Sequence, residues 1–363
     1  MNAGALVKQH LTRLRAAILR GSRLPTYLDL LVTLLVQWLF WSAPPAITQI
    51  LDRLDNVIYD QRFNIVQGTL RDNEHKIVII DYDEKSLEAE GQWPWSRVKI
   101  GDLVKRLADY GVLVVGFDVC FPEYERNLVS ELQQRATRDP VVAGSTRELL
   151  PELEARRELL DADRYFAESM QATDVVLGFS FRAEQGRRSG TLPEPIFRMR
   201  ETTSESISLE EQQGYIGNVD VLQNAAAGAG FFDTRPDIDG VIRRYPLFMQ
   251  FQNRLYPSIA LDMARLFYFE TEFTPEIERD LLNNLQELVG TRMGQVVIPT
   301  DEDGSVLVPY IGPASSYPYI SATDVLNGTL TPKDEELLFN SLALVGTTSV
   351  GLYDLRATPV QAV

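Results

Sequence analysis

The apolar positions follow different rhythms in different parts of the chain. Val7, Leu11, Leu14 and Ile18 recur at helical spacing with basic residues between them, which predicts an amphipathic basic helix within residues 1–25. From Leu30 to Ala43 the chain is almost wholly apolar, with Thr33, Gln37 and Ser42 as the polar breaks. A spanning helix needs about 20 apolar residues. Extending the run back to Tyr27 and on through Ile47 gives that length, so a single membrane anchor is expected over residues 26–47. Asp29 would then lie near one interface, with Trp38 and Trp41 at the other. A cleaved signal peptide and a buried soluble helix are the alternatives. Pro44-Pro45 spoils the small-residue cleavage site that a signal peptide would need.

Beyond residue 48 the rhythm is that of a folded body. Lys76–Asp81 and Val112–Val119 are short apolar runs rich in β-branched residues, and both read as buried strands. Between them, Glu84–Glu90 reads as a short helix stopped by Gly91. Ile100, Leu103, Val104 and Leu107 mark an amphipathic helix that stops at Gly111. Strands joined through a helix are expected to pair in parallel, buried on both faces. Residues 123–173 are charged and helix-forming, which suggests a solvated helical insert. Val175–Phe181 and Ser341–Thr348 read as further buried strands, and Tyr256–Phe267 as a helix. Gly230–Gln250 reads as a hairpin around RPDIDG, and VVIPTDEDGSVLVPY as a second around Asp303-Gly304. Residues 182–224 read as loops around weak structure. The expected class is α/β (α+β), a mixed β-sheet with flanking helices behind one N-terminal transmembrane helix.

Charge divides the chain in the same place. Residues 1–25 carry Lys8, Arg13, Arg15, Arg20 and Arg23 and no acid, which leaves 30 basic against 51 acidic residues in the remainder. The positive-inside rule then places the N-terminus in the cytoplasm and the acidic body outside. A formal net charge of -16 argues against a nucleic-acid partner. The single cysteine, Cys120, excludes an intramolecular disulfide, and His10 and His75 alone give no basis for a histidine triad or zinc site. P-loop, nucleophile-elbow and zincin motifs are absent.

Several constellations could carry chemistry. Asp81 and Asp83 close one strand and Asp118 closes another, so these carboxylates are expected at the carboxyl edge of a parallel sheet, where α/β proteins place ligands. They could cap helices, contact a ligand or hold a divalent cation. The Asp-x-Asp pair also resembles the opening of haloacid-dehalogenase-type phosphatases. That motif continues with Thr or Val two residues after the second Asp, and this chain has Lys85. In GQWPWSR, Trp93 and Trp95 flank a proline as a packed lock or an aromatic pocket wall, and Arg97 is placed to pair with Asp83 or Asp118. In DIDGVIRR, Asp239 and Arg243 form either a turn with its ion pair or an anion-recognition element. TDEDG (Thr300–Gly304) lacks the full calcium-loop pattern and reads as a solvated turn.

Taken in order, YDQRF, IVIIDYDEKSLEAEGQWPWSR, VVGFDVCFPE, VVLGFSF, GFFDTRPDIDGVIRRYPL, YPSIALDMA, PTDEDGSVLVPYIGP, ISATDVLNG and LALVGTTSVGLYDLRATP resemble the type-two CHASE domain, an extracellular sensory module of cyclases and histidine kinases. The likeness covers roughly residues 50–363. It implies an extracytoplasmic sensor at a bacterial plasma membrane, a membrane anchor before it and further spans after it. It also implies a cytoplasmic output: a class III adenylate or guanylate cyclase first, with histidine kinases, diguanylate cyclases and Ser/Thr kinases also found. Such outputs work in pairs, so a homodimer is expected, with a small-molecule or ionic stimulus. The chain ends after Thr358-Pro359 short of any return span, which reads as truncation before the output domain. No catalytic domain is expected within it, and no cofactor beyond the divalent cation already weighed. The rival readings are a membrane-tethered metal-dependent phosphohydrolase using Asp81 and Asp83, and a non-catalytic envelope scaffold.

Overall fold

The computed structural model describes residues 24–41, 45–66, 77–157, 160–183, 186–198, 209–279, 286–301, 303–313, 316–349 and 357–360. The basic stretch ahead of residue 24 and the GLYDLR segment at 351–356 lie outside the described residues. The chain divides into two units, Met1–Phe63 and Asn64–Val363.

The first unit contributes helix α1 (Leu24–Trp41) and most of helix α2 (Pro45–Val66). Helix α1 is strongly apolar, with Asp29, Thr33 and Gln37 forming one polar stripe. Tyr27, Leu28, Leu30, Leu31, Val32, Leu34, Leu35, Val36 and Trp38 are each 48–65% exposed. Its polar interruption at Thr33 is softened, because the hydroxyl donates back to the Asp29 carbonyl at 2.7 Å. The single helix expected over 26–47 does not form: α1 stops at Trp41, and Pro45 opens a second helix. Proline lacks the N–H an interior turn needs, and it is favoured at a first helical position. Among the described residues no helix is long and apolar enough to cross a membrane. Along α2, Leu51, Leu54, Ile58 and Ile65 recur at helical spacing and are all exposed.

The second unit opens with strand β1 (Ile77–Asp81), helices α3 (Glu84–Glu90) and α4 (Arg97–Asp109), and strand β2 (Val114–Phe117). Four helices follow: α5 (Leu128–Arg138), α6 (Pro140–Thr146), α7 (Leu149–Ala155) and α8 (Ala162–Ser169). Then come β3 (Asp174–Arg182), β4 (Arg188–Ser189), β5 (Phe197–Arg198), β6 (Gly214–Ile216), α9 (Asp220–Ala225), β7 (Gly228–Phe231), β8 (Arg244–Pro246), β9 (Phe248–Phe251), β10 (Arg254–Pro257) and α10 (Ile259–Phe267). The remainder is β11 (Phe273–Arg279), β12 (Gln286–Met293), β13 (Val296–Pro299), β14 (Ser305–Leu307), β15 (Tyr319–Ser321), α11 (Ala322–Asn327), α12 (Pro332–Leu338) and β16 (Leu342–Gly346).

The main sheet is mixed and eight-stranded, as the alternation of apolar runs and helices implies. Its heart is the parallel series β15-β1-β16-β2-β3-β7, and β6 joins the end of β3 in the opposite direction. β1 and β2 are therefore parallel but not neighbours, because the last strand, β16, enters between them. One face carries Val78, Ile80, Val115, Phe117, Leu177, Ala343 and Val345 into the principal core, with Ile100, Leu103, Val104, Leu107 and Phe166 from α4 and α8. On the other face Val114 and Val176 meet Ile259 and Met263 of α10. That helix lies very close to the sheet because glycines line its seat. A Cβ on Gly116 would meet Met263 Sδ at 2.1 Å, and one on Gly230 would meet the Ile259 nitrogen at 2.3 Å. Ser258 caps α10, its Oγ accepting from the Leu261 N–H, so the helix begins three residues later than the apolar pattern suggests.

Both expected hairpins are replaced by longer connections. Gly228–Phe231 pairs with β3 rather than with the segment after RPDIDG; β8 pairs with β14, and β9 with β10. β13 pairs with β12, so the strands on either side of Asp303-Gly304 have different partners. The turn residues still make turns: Asp301 Oδ1 accepts from the Asp303 and Ser305 N–H groups, and Gly240 has φ 82°. What decides the pairing is burial in a second core of Leu247, Phe248, Leu255, Leu261, Phe273, Leu288 and Met293.

Candidate functional site

The parallel strands end together at one edge, and most of the acidic residues singled out by the sequence are found there. Asp81 closes β1. Its two oxygens accept from the Thr348 N–H (2.8 Å) and the Thr348 hydroxyl, which ties β1 to the segment leaving β16. Burial raises its pKa, and the Thr348 bonds offset this only in part. Asp83 is the N-cap of α3, accepting from the Ser86 N–H at 2.8 Å and from the Ser321 hydroxyl at 2.8 Å. Burial alone would raise its pKa, but these bonds and the Lys85 charge hold it below its usual value. Both carboxylates are thus engaged in joining elements. An Asp81 nucleophile would have to give up both hydrogen bonds, which counts against the phosphohydrolase reading. Among the described residues no three acidic, histidine or cysteine side chains are grouped to hold a metal ion.

Trp93 and Trp95 pack on Tyr82, with ring centroids 4.8 and 4.7 Å apart, around a cis Trp93–Pro94 bond. Trp95 is buried, and its indole N–H donates to the Gly91 carbonyl at 2.8 Å. This is the packed lock of the two sequence readings. Arg97 turns away from the acids it was expected to meet. Its Nε donates to Asp163 at 3.3 Å, and its guanidinium lies 4.4 Å from the centre of the Phe121 ring. Asp163 comes from α8 and also accepts from the Glu125 N–H at 2.7 Å, so the pair fastens the helical insert to α4. Arg243 is buried and forked: Nη1 and Nη2 reach Asp239 at 2.9 and 2.8 Å, and Nη1 reaches Asp237 at 2.8 Å. With its donors committed to two carboxylates, Arg243 is the turn's ion pair and not an anion receptor.

Asp118 differs from all of these. Among the described residues its carboxylate has no hydrogen-bond or ion-pair partner. It opens into a cavity of about 550 Å³, so its surface is accessible although protein surrounds it on most sides. Burial, and next the neighbouring charge of Asp233, push its pKa up to about 6. Asp233 follows β7 and is better satisfied, accepting from the Ser180 hydroxyl and the Phe181 N–H, both at 2.7 Å. Tyr245 lines the same cavity and donates to the Phe231 carbonyl at 3.2 Å; burial first, then Asp118 and Asp233, raise its pKa. The floor is Ile77, Ile79, Leu342 and Leu344, and α10 supplies the wall through Ile259, Met263 and Phe267. A second cavity of about 490 Å³ is more polar; Glu194, Glu272, Asp262 and Arg265 line it, the last two joined at 2.7 Å.

Sequence reasoning missed Asp163, Asp233 and Tyr245. Asp233 had a usable signal, since GAGFFD repeats the strand-then-Asp pattern of VVGFD. A family model of the CHASE2 domain matches residues 31–363. The chain belongs to the CHASE2 family. It is therefore a sensory domain, of a kind generally non-catalytic and typically extracytoplasmic in membrane receptors. No curated protein and no solved structure gave a significant match. For a CHASE2 sensor the carboxyl edge divides by role: Asp81, Asp83, Trp95, Arg97 and Arg243 hold elements together, and Asp118 faces open space.

Proposed function

We propose that this chain is the extracytoplasmic sensor of a receptor in a bacterial plasma membrane, and that it regulates a cytoplasmic output, first of all a class III adenylate or guanylate cyclase. The match to a sensory family over residues 31–363 carries the reading. The broad exposed apolar surface of α1 supports a membrane seat for that helix. The five basic residues before Pro25 favour the inner face for the N-terminus. The exposed stripe Leu51, Leu54, Ile58 on α2 suits the homodimer that such outputs require. The stimulus in this reading is a small molecule taken into the cavity beside Asp118. The topology is tested with the full chain in bacteria, carrying a fluorescent protein at its N-terminus and alkaline phosphatase after Val363. Cytoplasmic fluorescence with active phosphatase is the expected result. Inactive phosphatase on a stably expressed fusion would overturn the reading.

A further inference from the structure

The cavity beside Asp118 is shaped by an incomplete layer. A parallel sheet normally has both faces covered. Here Val114 and Val176 are buried under α10, but Ile77 and Ile79 of β1 and Leu342 and Leu344 of β16 are only half-buried on the same face. These side chains form an apolar floor beside the helix. Leu342 lies opposite Val114, four residues before Asp118, so the floor runs roughly 13 Å along the strands to the acid. A volume of about 550 Å³ is that of a small-molecule site.

The charge at the far end selects among ligands. Asp118 feels the charge of Asp233, which follows β7, and shares the cavity with Tyr245 of β8; a Cβ added to Gly346 would come no nearer than 3.9 Å to the Asp118 Cβ. Arg182 acts on Asp233 and, with Arg97, on Cys120, but no cation lowers the pKa of Asp118. An anion would meet the Asp118 carboxylate, with the charge of Asp233 behind it. A neutral apolar molecule would strip water from Asp118 and return nothing. A protonated amine supplies a charge-assisted hydrogen bond to a carboxylate that has none among the described residues. We propose that this cavity binds an amphiphilic organic cation, its apolar body along Ile77, Ile79, Leu342 and Leu344 and its ammonium group on Asp118. The inference deepens the sensor reading and rests on it only for the idea that filling the cavity is the signal. Binding itself does not depend on topology or output.

The test uses the full chain in nanodiscs of zwitterionic lipid and three probes of one size and different charge: 3-phenylpropylamine, 3-phenylpropionate and 3-phenylpropan-1-ol. Titration calorimetry at pH 7.5, with empty nanodiscs subtracted, should show saturable binding of the amine, at least tenfold weaker binding of the alcohol and none of the propionate. Asp118→Asn should weaken the amine at least tenfold and leave the alcohol unchanged. Ala260→Phe, which fills the cavity from α10, should abolish both. Amine affinity should fall as pH drops through about 6, because the carboxylate then takes up a proton. Absence of saturable amine binding to the folded wild-type chain would overturn the proposal, as would equal affinity for the three probes or full amine affinity in Asp118→Asn. Amine binding by a chain whose C-terminal phosphatase is inactive would leave this site standing and remove the receptor reading. Active phosphatase without amine binding would do the reverse.

Discussion

At the scale of single residues, the carboxylates of the sheet edge differ in what opposes their burial. Asp83 has enough hydrogen bonds to stay ionised easily, and Asp239 is held low by the Arg243 bonds. Asp118 has no such partner, and its folded pKa of about 6 lies above the ordinary 3.8. A group raised in this way favours the fold fully below its ordinary pKa, and that contribution is lost as pH rises through about 6. Replacing it with a neutral isostere removes the penalty. Asp118→Asn should therefore raise Tm at pH 7.5 and leave it unchanged at pH 4. A drop in Tm at pH 7.5 would mean that Asp118 has a stabilising partner. A residue that weakens its own fold at neutral pH is what a binding site retains at the expense of stability. Its position was legible, because a buried strand that ends in Asp places the acid at the edge whatever its neighbours are. Its freedom was not legible, because that depends on Arg97 reaching Asp163 instead, a residue 66 positions away on another helix.

At the scale of elements, apolar runs located the buried strands to within a few residues, and glycine stops, with helical spacing for α4, located α3 and α4. Pairing was not legible where local turn signals competed with distant burial. Asp239-Gly240 and Asp303-Gly304 do form turns, yet β8 chooses β14 some 60 residues later, because Leu247 and Phe248 are buried in a core that also takes Leu288. The order of β1, β16 and β2 was equally hidden, since nothing local in LALVG specifies insertion between them. The seat of α10 was encoded, but in absences: Gly116 and Gly230 carry no Cβ where the helix approaches. Gly230→Ala would place a carbon 2.3 Å from the Ile259 nitrogen and 2.4 Å from its Cα. Backbone cannot rotate away as a side chain can. The substitution should destabilise the fold by about 1–3 kcal/mol in urea titrations and displace the helix that walls the cavity. Gly144→Ala, on α6 with nothing within 4 Å of its new methyl group, is the matched control and should be neutral or slightly stabilising. Equal stability of the two variants would show that α10 adjusts without resistance.

At the scale of the whole molecule, the separate carboxylates combine into one pH dependence. Burial raises the pKa of Asp81, Asp118, Asp163, Asp233 and Asp262, and in none do the hydrogen bonds and ion pairs fully compensate. Each favours the fold at low pH and loses that contribution as pH rises through its folded value, which for Asp118 is about 6. The net charge of -16 acts in the same direction, because self-repulsion grows as carboxylates ionise. Against this stand Asp83, Glu90 and Asp239, whose pKa values are lowered. Their contribution is present above the ordinary values of 3.8 and 4.5 and is lost as pH falls below them. The two groups place the stability maximum in mildly acidic solution. Thermal melts of the full chain should give a Tm that falls between pH 5 and pH 8 and falls again below pH 4. A Tm that climbs steadily from pH 5 to pH 8 would show that the buried acids are compensated in solution by something the fold does not supply. A protonated amine beside Asp118 is such a compensation. Saturating 3-phenylpropylamine should flatten the upper limb of the profile in the wild-type chain and leave it unchanged in Asp118→Asn, linking the behaviour of the whole fold to one unpartnered carboxylate.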